Sequence, residues 1–364
     1  MKRVLCIISS LDTGGAETMM MKLFRTFPSE YKMDFMVSAS TGFYEKEVLA
    51  LGGKIHRVPL RTKHPVKTFV AIKKVVQENN YNVVLKLCDT PKGYFDLVSA
   101  KWGGAKRICV RSCNASANMG KVGTLICNSI RPLFNKIATV KLAPSLLAAE
   151  FTFGKKEISK GNVYILHNGI NLNVFQYSDD ARNNIRKEFG ILEDEFVVGH
   201  VGRFNKQKNH FFLIEVFKEL KKIKPNAKLL LVGEGELKSE VQQCLEANDL
   251  IESVTFAGIR SDIPNLLSAM DVFLFPSLYE GMPNTIIEAQ AIGLPCVIAD
   301  TITRDANVTG LVKYISLDEP KEKWVNSCIN SNKETASVVK KRMTESGYDI
   351  EAVTKEFIDI IFDS

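Results

Sequence analysis

The sequence predicts an α/β protein built from two doubly wound, Rossmann-like domains. Three observations carry this reading. Short β-rich runs alternate with longer segments of helical period, which argues for parallel sheets with helices on both faces. The alternation occurs twice along the chain, so two such units are expected. The length, 364 residues, is about two to three times that of a single domain.

The elements follow in order. In the first half, strand-like runs fall at Arg3–Ser9, Met33–Ser38, Lys54–Val58, Asn82–Leu87, Arg107–Arg111 and Val140–Ala143. Between the first two, Ala16–Phe27 spaces its apolar residues with a period near 3.6, that of an amphipathic helix. The second half repeats the plan. Strands are expected at Phe196–Gly202, Lys228–Val232, Val254–Phe256, Val272–Pro276, Pro295–Ala299 and Lys313–Ile315. Helices are expected at Phe211–Lys222, Leu237–Asn248, Ile263–Ala269 and Asn284–Ala291. The join falls within Ser159–Asn173, where Gly161 precedes the run VYIL and the turn His167-Asn168-Gly169. The last segment has apolar residues at Ile350, Val353, Phe357, Ile360 and Ile361, the spacing of a helix with one apolar face. The expected organisation is a domain over residues 1–165, a second over 166–345, and a closing helix, 346–364, that packs back on the first.

Composition excludes several classes. Hydrophobic residues make up 45% and charged residues 24%, which rules out a disordered, collagenous or fibrous chain. No apolar run approaches the ~20 residues of a membrane-spanning helix. The early run VLCIIS lacks a small-residue cleavage site and reads as a first strand rather than a signal peptide. The eight cysteines form no CxxC pair and no Cys/His cluster. A disulfide framework or zinc site is therefore not expected, and a reducing cytoplasm fits. Charge is divided unevenly. Residues 1–165 hold 26 Lys and Arg against 11 Asp and Glu, a balance of +15, and residues 166–364 hold 22 against 30, a balance of −8. A basic first half attracts anionic partners. No nucleic-acid motif accompanies the charge, so no nucleic-acid partner is expected. Lys67, Lys73 and Lys74 share a helical stretch with Val66, Phe69 and Val70, which suits the anionic inner face of a plasma membrane.

In open parallel sheets, ligands bind beyond the carboxyl ends of the strands, so the residues that follow each strand matter most. After the first strand, Gly14 and Gly15 lead into a helix whose start can receive an anion. After Phe196–Gly202 stand Arg203 and, five residues on, Lys208. A guanidinium fork with an ammonium point charge suits a diphosphate. Gly233-Glu234-Gly235-Glu236 departs from a dinucleotide fingerprint and reads as a glycine turn lining the ligand crevice. The richest stretch follows Val272–Pro276. There Glu280 and Glu288 flank a turn and helix start formed by Gly281, Met282, Pro283 and Asn284. Free amides at such a start hold phosphate or sugar oxygens, and paired carboxylates accept bonds from hydroxyl-rich ligands.

The stretch EGMPNTIIEAQAIGLPCVIAD resembles the signature of the family-four retaining glycosyltransferases, whose fold is GT-B, with two Rossmann-like domains facing across a cleft. Matching segments run in the family's order: GGAE at Gly14–Glu17, HNGINLNVF at His167–Phe175, GHVGRFNKQKNH at Gly199–His210, LLLVGEGE at Leu229–Glu236 and FAGIRSDIPNLLSAMDVFLFPS at Phe256–Ser277. The resemblance is to the subgroup that builds bacterial capsules, exopolysaccharides and related surface glycans. It implies an N-terminal acceptor-side domain and a C-terminal domain that binds a nucleotide-sugar, UDP-linked, as co-substrate. The acceptor would be a glycan or a lipid-linked glycan. It further implies that Arg203 and Lys208 clamp the donor diphosphate, that Glu280 contacts the transferred sugar, and that Glu288 holds the ribose hydroxyls. Gly281, Met282, Pro283, Asn284 and Thr285 would line the sugar and phosphate, Ile259 and Arg260 would border the base, and Gly15 would let the first loop approach the phosphates.

Two departures stand out. Relatives carry a histidine in an HSHN-like stretch near the acceptor, where this chain has Arg111-Ser112-Cys113-Asn114. Relatives also place a glutamate after the strand that follows the paired-glutamate helix, where Asp305 is the nearest acid here. The sequence has no Asp-x-Asp pair to hold a bridging metal, so neither metal nor other cofactor is expected. Two other readings remain open: a sugar-nucleotide epimerase of the same architecture, and a glycan-assembly partner whose catalysis is weakened at Cys113.

Overall fold

The structure, a computed structural model, describes residues 1–88, 90–113, 120–280 and 282–363. Asn114 and Gly281 therefore lie outside the described residues. The chain forms two compact units, one comprising Met1–Gly169 and Gly347–Ser364, the other Ile170–Ser346.

In the first unit β1 (Lys2–Ile7), α1 (Gly15–Arg25), β2 (Tyr31–Val37), α2 (Glu45–Ala50), β3 (Ile55–Arg57), α3 (Pro65–Glu78), β4 (Val83–Cys88), α4 (Tyr94–Trp102) and β5 (Arg107–Ser112) alternate without interruption. Then come α5 (Gly120–Ile137), β6 (Val140–Ala143), α6 (Leu146–Phe153), α7 (Lys155–Ser159) and β7 (Tyr164–Ile165). The strands form one parallel sheet in the order β3-β2-β1-β4-β5-β6-β7, with Val4 opposite Met33 on one side and Val83 on the other. Successive residues of β1 point to opposite faces: Val4 and Cys6 enter one apolar cluster, Leu5 and Ile7 another. Burial on both faces is why these strands read as unbroken apolar runs.

The second unit contains α8 (Asp179–Glu188), β8 (Val197–Val201), α9 (His210–Ile223), β9 (Lys228–Val232), α10 (Lys238–Glu246), β10 (Val254–Gly258) and α11 (Ile263–Ala269). It continues with β11 (Val272–Phe275), α12 (Asn284–Ala291), β12 (Cys296–Ala299), β13 (Val312–Ile315), α13 (Lys321–Ile329) and α14 (Ala336–Glu345). Its parallel sheet has the order β10-β9-β8-β11-β12-β13. The order reverses direction between β8 and β11, which pair with Val272 opposite Val198. At the entrance to β11, Asp271 accepts from Arg182 and Arg186 of α8, both at 2.8 Å, and so locks that helix to the sheet.

The last helix, α15 (Ile350–Ile358), leaves the second unit and completes the first. Asp349 caps it by accepting from the Glu351 amide, and Ile350, Val353, Phe357, Ile360 and Ile361 join the cluster around β1 and α1. Among the described residues no helix is long and apolar enough to cross a membrane. Cys88 is buried, and burial pushes its thiol up to about 12, so it packs as a small apolar side chain.

Candidate functional site

The site in the second unit is built where β8 and β11 end side by side. Beyond β8 the chain turns through three close glycine approaches. A Cβ on Gly202 would stand 2.9 Å from His200 Nε2 and 3.2 Å from Lys208 Cδ. Gly233, at φ +135°, lies so close to the Gly202 carbonyl that a Cβ would come within 2.1 Å of it. A Cβ on Gly235 would come within 2.3 Å of the Phe204 carbonyl. The side-chain space of these two glycines is filled by the β8 loop, so packing demands glycine at both.

That packing sets the path of the loop carrying Lys208. Asn205 accepts from the Lys208 amide at 3.1 Å and closes a short 3-10 turn, and Asn209 takes the left-handed conformation that asparagine tolerates. The Leu278 amide donates to the Gln207 carbonyl at 2.9 Å, and Gln207 Nε2 donates to the Tyr279 carbonyl at 2.9 Å. The loops after β8 and β11 are thus tied together. Lys208 Nζ reaches Glu280 Oε1 at 2.7 Å, with side chains only 15% and 10% exposed, and lies 4.5 Å from the centre of the Phe275 ring. Seventy-two residues separate this cation from this carboxylate.

Arg203 stands at the end of β8 but is 71% exposed and paired with Glu236 at 3.2 Å. Met282 packs on the core below, Pro283 precedes α12, and Asn284, Thr285 and Glu288 on that helix are half-buried. Gln290 anchors the helix from behind. Its Nε2 donates to the Ala306 carbonyl at 2.7 Å, and its Oε1 accepts from the Val308 and Thr309 amides and the Thr309 hydroxyl, each at 3.0 Å. Nothing in the sequence pattern singled out Gln290. The signal was a polar residue at a buried helical position.

Ile259 is 82% exposed. Arg260 beside it is held by Asp262 at 2.7 Å and by Glu188 of α8. Those two carboxylates push its guanidinium pKa upward, and their bonds commit it to bracing the loop.

Beneath the Lys208 loop lies a buried pair of imidazoles. His200 Nδ1 is 2.9 Å from the Leu274 carbonyl, so this nitrogen carries the proton, and Nε2 has no partner among the described residues. His210 stacks on Phe204 at 4.3 Å, lies 4.8 Å from His200, and among the described residues has no partner at either nitrogen. His200 is buried, and among the described residues it is only half satisfied. Burial, then His210, holds His200 well below the ordinary histidine range, and burial with nearby Lys208 pushes His210 down to about 4.

In the first unit, Gly15 opens α1, and among the described residues a Cβ there would meet nothing within 4 Å. Arg111 is interior, 2% exposed, and donates to the Leu166 carbonyl and to Asn168 Oδ1 at 2.9 Å. It braces the chain leaving β7 rather than lying open to a ligand. Cys113 is half-buried just beyond β5. Among the described residues, no three His, Cys, Asp or Glu side chains gather as metal ligands would.

The arrangement is that of a doubly wound sheet with a cation, a carboxylate and a helix start at the point where strand order reverses. Residues 181–309 match the family described as glycosyl transferases group 1. The EpsF protein of Bacillus subtilis (strain 168), named as a glycosyltransferase, is 33% identical over 361 residues, which is 96% of this chain and 93% of EpsF. A Campylobacter jejuni N-acetylgalactosaminyltransferase, whose name specifies an N-acetylgalactosamine-N,N'-diacetylbacillosaminyl-diphospho-undecaprenol, is 25% identical over 82% of this chain and 81% of its own. The crystal structure of Anabaena HepE with UDP-glucose superposes with a TM-score of 0.75 at 20% identity and covers 99% of both chains. The chain belongs to the group 1 glycosyl transferases and has the GT-B fold.

Proposed function

We propose that this protein moves a sugar from a UDP-linked donor to a glycan or lipid-linked acceptor, with retention at the anomeric carbon, during synthesis of a bacterial surface polysaccharide. The observation that carries the reading is the Lys208–Glu280 pair at the β8/β11 switch point. The diphospho-undecaprenol in the Campylobacter relative's name and the UDP-glucose bound to HepE support the acceptor and donor classes.

In this mechanism Lys208 and Arg203 hold the diphosphate and stabilise the charge that grows on the departing phosphate. Arg203 leaves Glu236 at little cost, because an exposed ion pair is worth only about 0–1 kcal/mol. Glu280, oriented by Lys208, accepts from the hydroxyls of the transferred sugar. The α12 start adds its dipole and the amides of Met282, Asn284 and Thr285 as donors, Pro283 between them having no N–H to give. Glu288 holds the ribose, and Ile259 and Arg260 border the base. Cys113 lies on the acceptor side, and Arg111 braces the chain leaving β7 from the interior. The sugar passes through an oxocarbenium-like state, and the departing phosphate oxygen takes the acceptor proton. Cations and helix amides do the electrostatic work without a metal. The protein acts in the cytoplasm, where the inner membrane leaflet presents the lipid-linked acceptor.

The test is a panel of UDP-, GDP- and ADP-sugars read by release of the nucleoside diphosphate, followed by lipid-extract acceptors. Release from UDP-sugars, increased by acceptor, is expected. Epimer formation without acceptor would replace the reading with an epimerase, and inertness towards every donor would replace it with a non-catalytic assembly partner.

A further inference from the structure

Beneath Lys208 the two strands that carry the site part company. Among the described residues β8 and β11 pair at two rungs, Val198 with Val272 and Gly199 with Phe273. Beyond them each strand keeps its outer partner. His200 and Val201 stay paired with Leu231 and Val232 of β9, and Leu274 and Phe275 with Val297 and Ile298 of β12. The next rung between β8 and β11 would set the His200 backbone against Leu274. A side chain takes its place, since His200 Nδ1–H donates to the Leu274 carbonyl at 2.9 Å. The imidazole splints the sheet where it opens, which is also where the strand order reverses and a ligand crevice forms.

What rests on the splint is Lys208. The space above Gly202 is bounded by His200 Nε2 and by Cδ and Cε of Lys208. His200 stacks on the Phe275 ring at 5.3 Å, and Lys208 Nζ lies 4.5 Å from the centre of that same ring. His210, itself stacked on Phe204, packs against the same imidazole at 4.8 Å. An apolar residue at position 200 would suit these aromatic surroundings better, because a buried imidazole nitrogen with no partner among the described residues costs stability. The bond to Leu274 is what sets His200 apart from such a residue. With the proton on Nδ1, the imidazole is neutral, and no second positive charge stands beside the Lys208 ammonium.

We propose that His200 is a positioning residue for the donor diphosphate: by splinting β8 to β11 through the Leu274 carbonyl, it fixes the stem of Lys208 and so the point from which that ammonium reaches Glu280 and the diphosphate. His200 itself touches no substrate. Its role rests on Lys208 holding the donor diphosphate, the reading given above.

Two neutral amides separate the splint from bulk alone. His200→Asn puts an amide N–H where Nδ1 stands, and His200→Gln, one methylene longer, puts it where Nε2 stands. Calorimetry on the full chain measures binding of UDP and of uridine, which lacks phosphate. His200→Gln should weaken UDP by about tenfold, the loss of one well-placed charge-assisted contact, and leave uridine binding unchanged. His200→Asn should recover most of the UDP affinity. Lys208→Ala should weaken UDP at least as much as His200→Gln. Combining the two should cause no further loss, because a residue that acts through Lys208 has nothing to position once the ammonium is gone. UDP and uridine weakened alike by His200→Gln, native-like UDP binding by that variant, no recovery in His200→Asn, or a further loss in the double variant would each overturn the role. Loss of uridine binding in both His200 variants would make the residue structural and overturn it as well. Native-like UDP binding by Lys208→Ala would overturn the diphosphate reading itself, whereas loss in Lys208→Ala with none in His200→Gln would overturn the positioning role alone.

Discussion

At Arg203 and Arg111 the same side chain type meets opposite fates. Arg203 is exposed with a weak partner in Glu236, so it is available to a ligand, whereas Arg111 is sealed inside the first unit and donates to the Leu166 carbonyl and the Asn168 side chain. Arg203→Ala should therefore slow transfer about ten- to hundredfold, the loss of one charge-assisted contact to the leaving group. It should leave stability within about 0.5 kcal/mol, and urea unfolding beside a turnover assay checks both. The histidine pair makes a pH prediction. His210 titrates near 4 in the folded chain and near 6.5 when unfolded. Between those values the unfolded chain binds more protons. Stability is thus undiminished above about pH 6.5 and falls as pH drops towards 4, by about 3 kcal/mol for this residue. His200, also held neutral, adds in the same direction. Thermal midpoints of the native chain and His210→Leu, compared at pH 7 and pH 4.5, should show the variant losing less on acidification.

At the scale of elements, the site depends on how α12 is held. Gln290→Leu keeps the volume but leaves the Val308 and Thr309 amides and the Thr309 hydroxyl without their acceptor. Orphaned buried donors should cost about 3 kcal/mol, visible as a lower urea midpoint, and turnover should fall further because Glu288 rides on the same helix. A variant as stable as the native chain would show that water replaces the amide oxygen. The strands themselves were legible in advance: the runs expected at Val140–Ala143 and Lys228–Val232 are β6 and β9 to the residue. Ends slipped where a strand met a turn, as at Arg3–Ser9, which stops at Ile7. Hydrophobic run length reports burial, while strand ends depend on hydrogen-bond partners supplied by neighbours. The Gly233–Glu236 turn shows the limit of motif reading, since ligand-lining and backbone-packing glycines look alike until the partner strand is known.

For the whole molecule, each unit owns a separate core, and the chain's last helix belongs to the first. Phe357, fully buried among residues of α1, β1 and β2, should cost about 3–5 kcal/mol when cut to alanine. Calorimetry should show the loss in the transition of the first unit, with the second unit's transition unmoved. A shift confined to the second unit would contradict the division. The apolar spacing of Ile350, Val353 and Phe357 foretold the helix and its stripe, because a 3.6-residue period is local information.

By itself the sequence determined the class of fold, its doubling and the family, because periodicity, turn residues and motifs are written along the chain. Only the tertiary structure decided that Lys208 meets Glu280 across seventy-two residues, that Arg260 is bound by Glu188 and Asp262, and that His200 lies against His210. Those pairings follow from β8 lying beside β11 and from how each loop packs on its neighbour. Strand order is set by the summed packing of both sheet faces and is not marked at any one position.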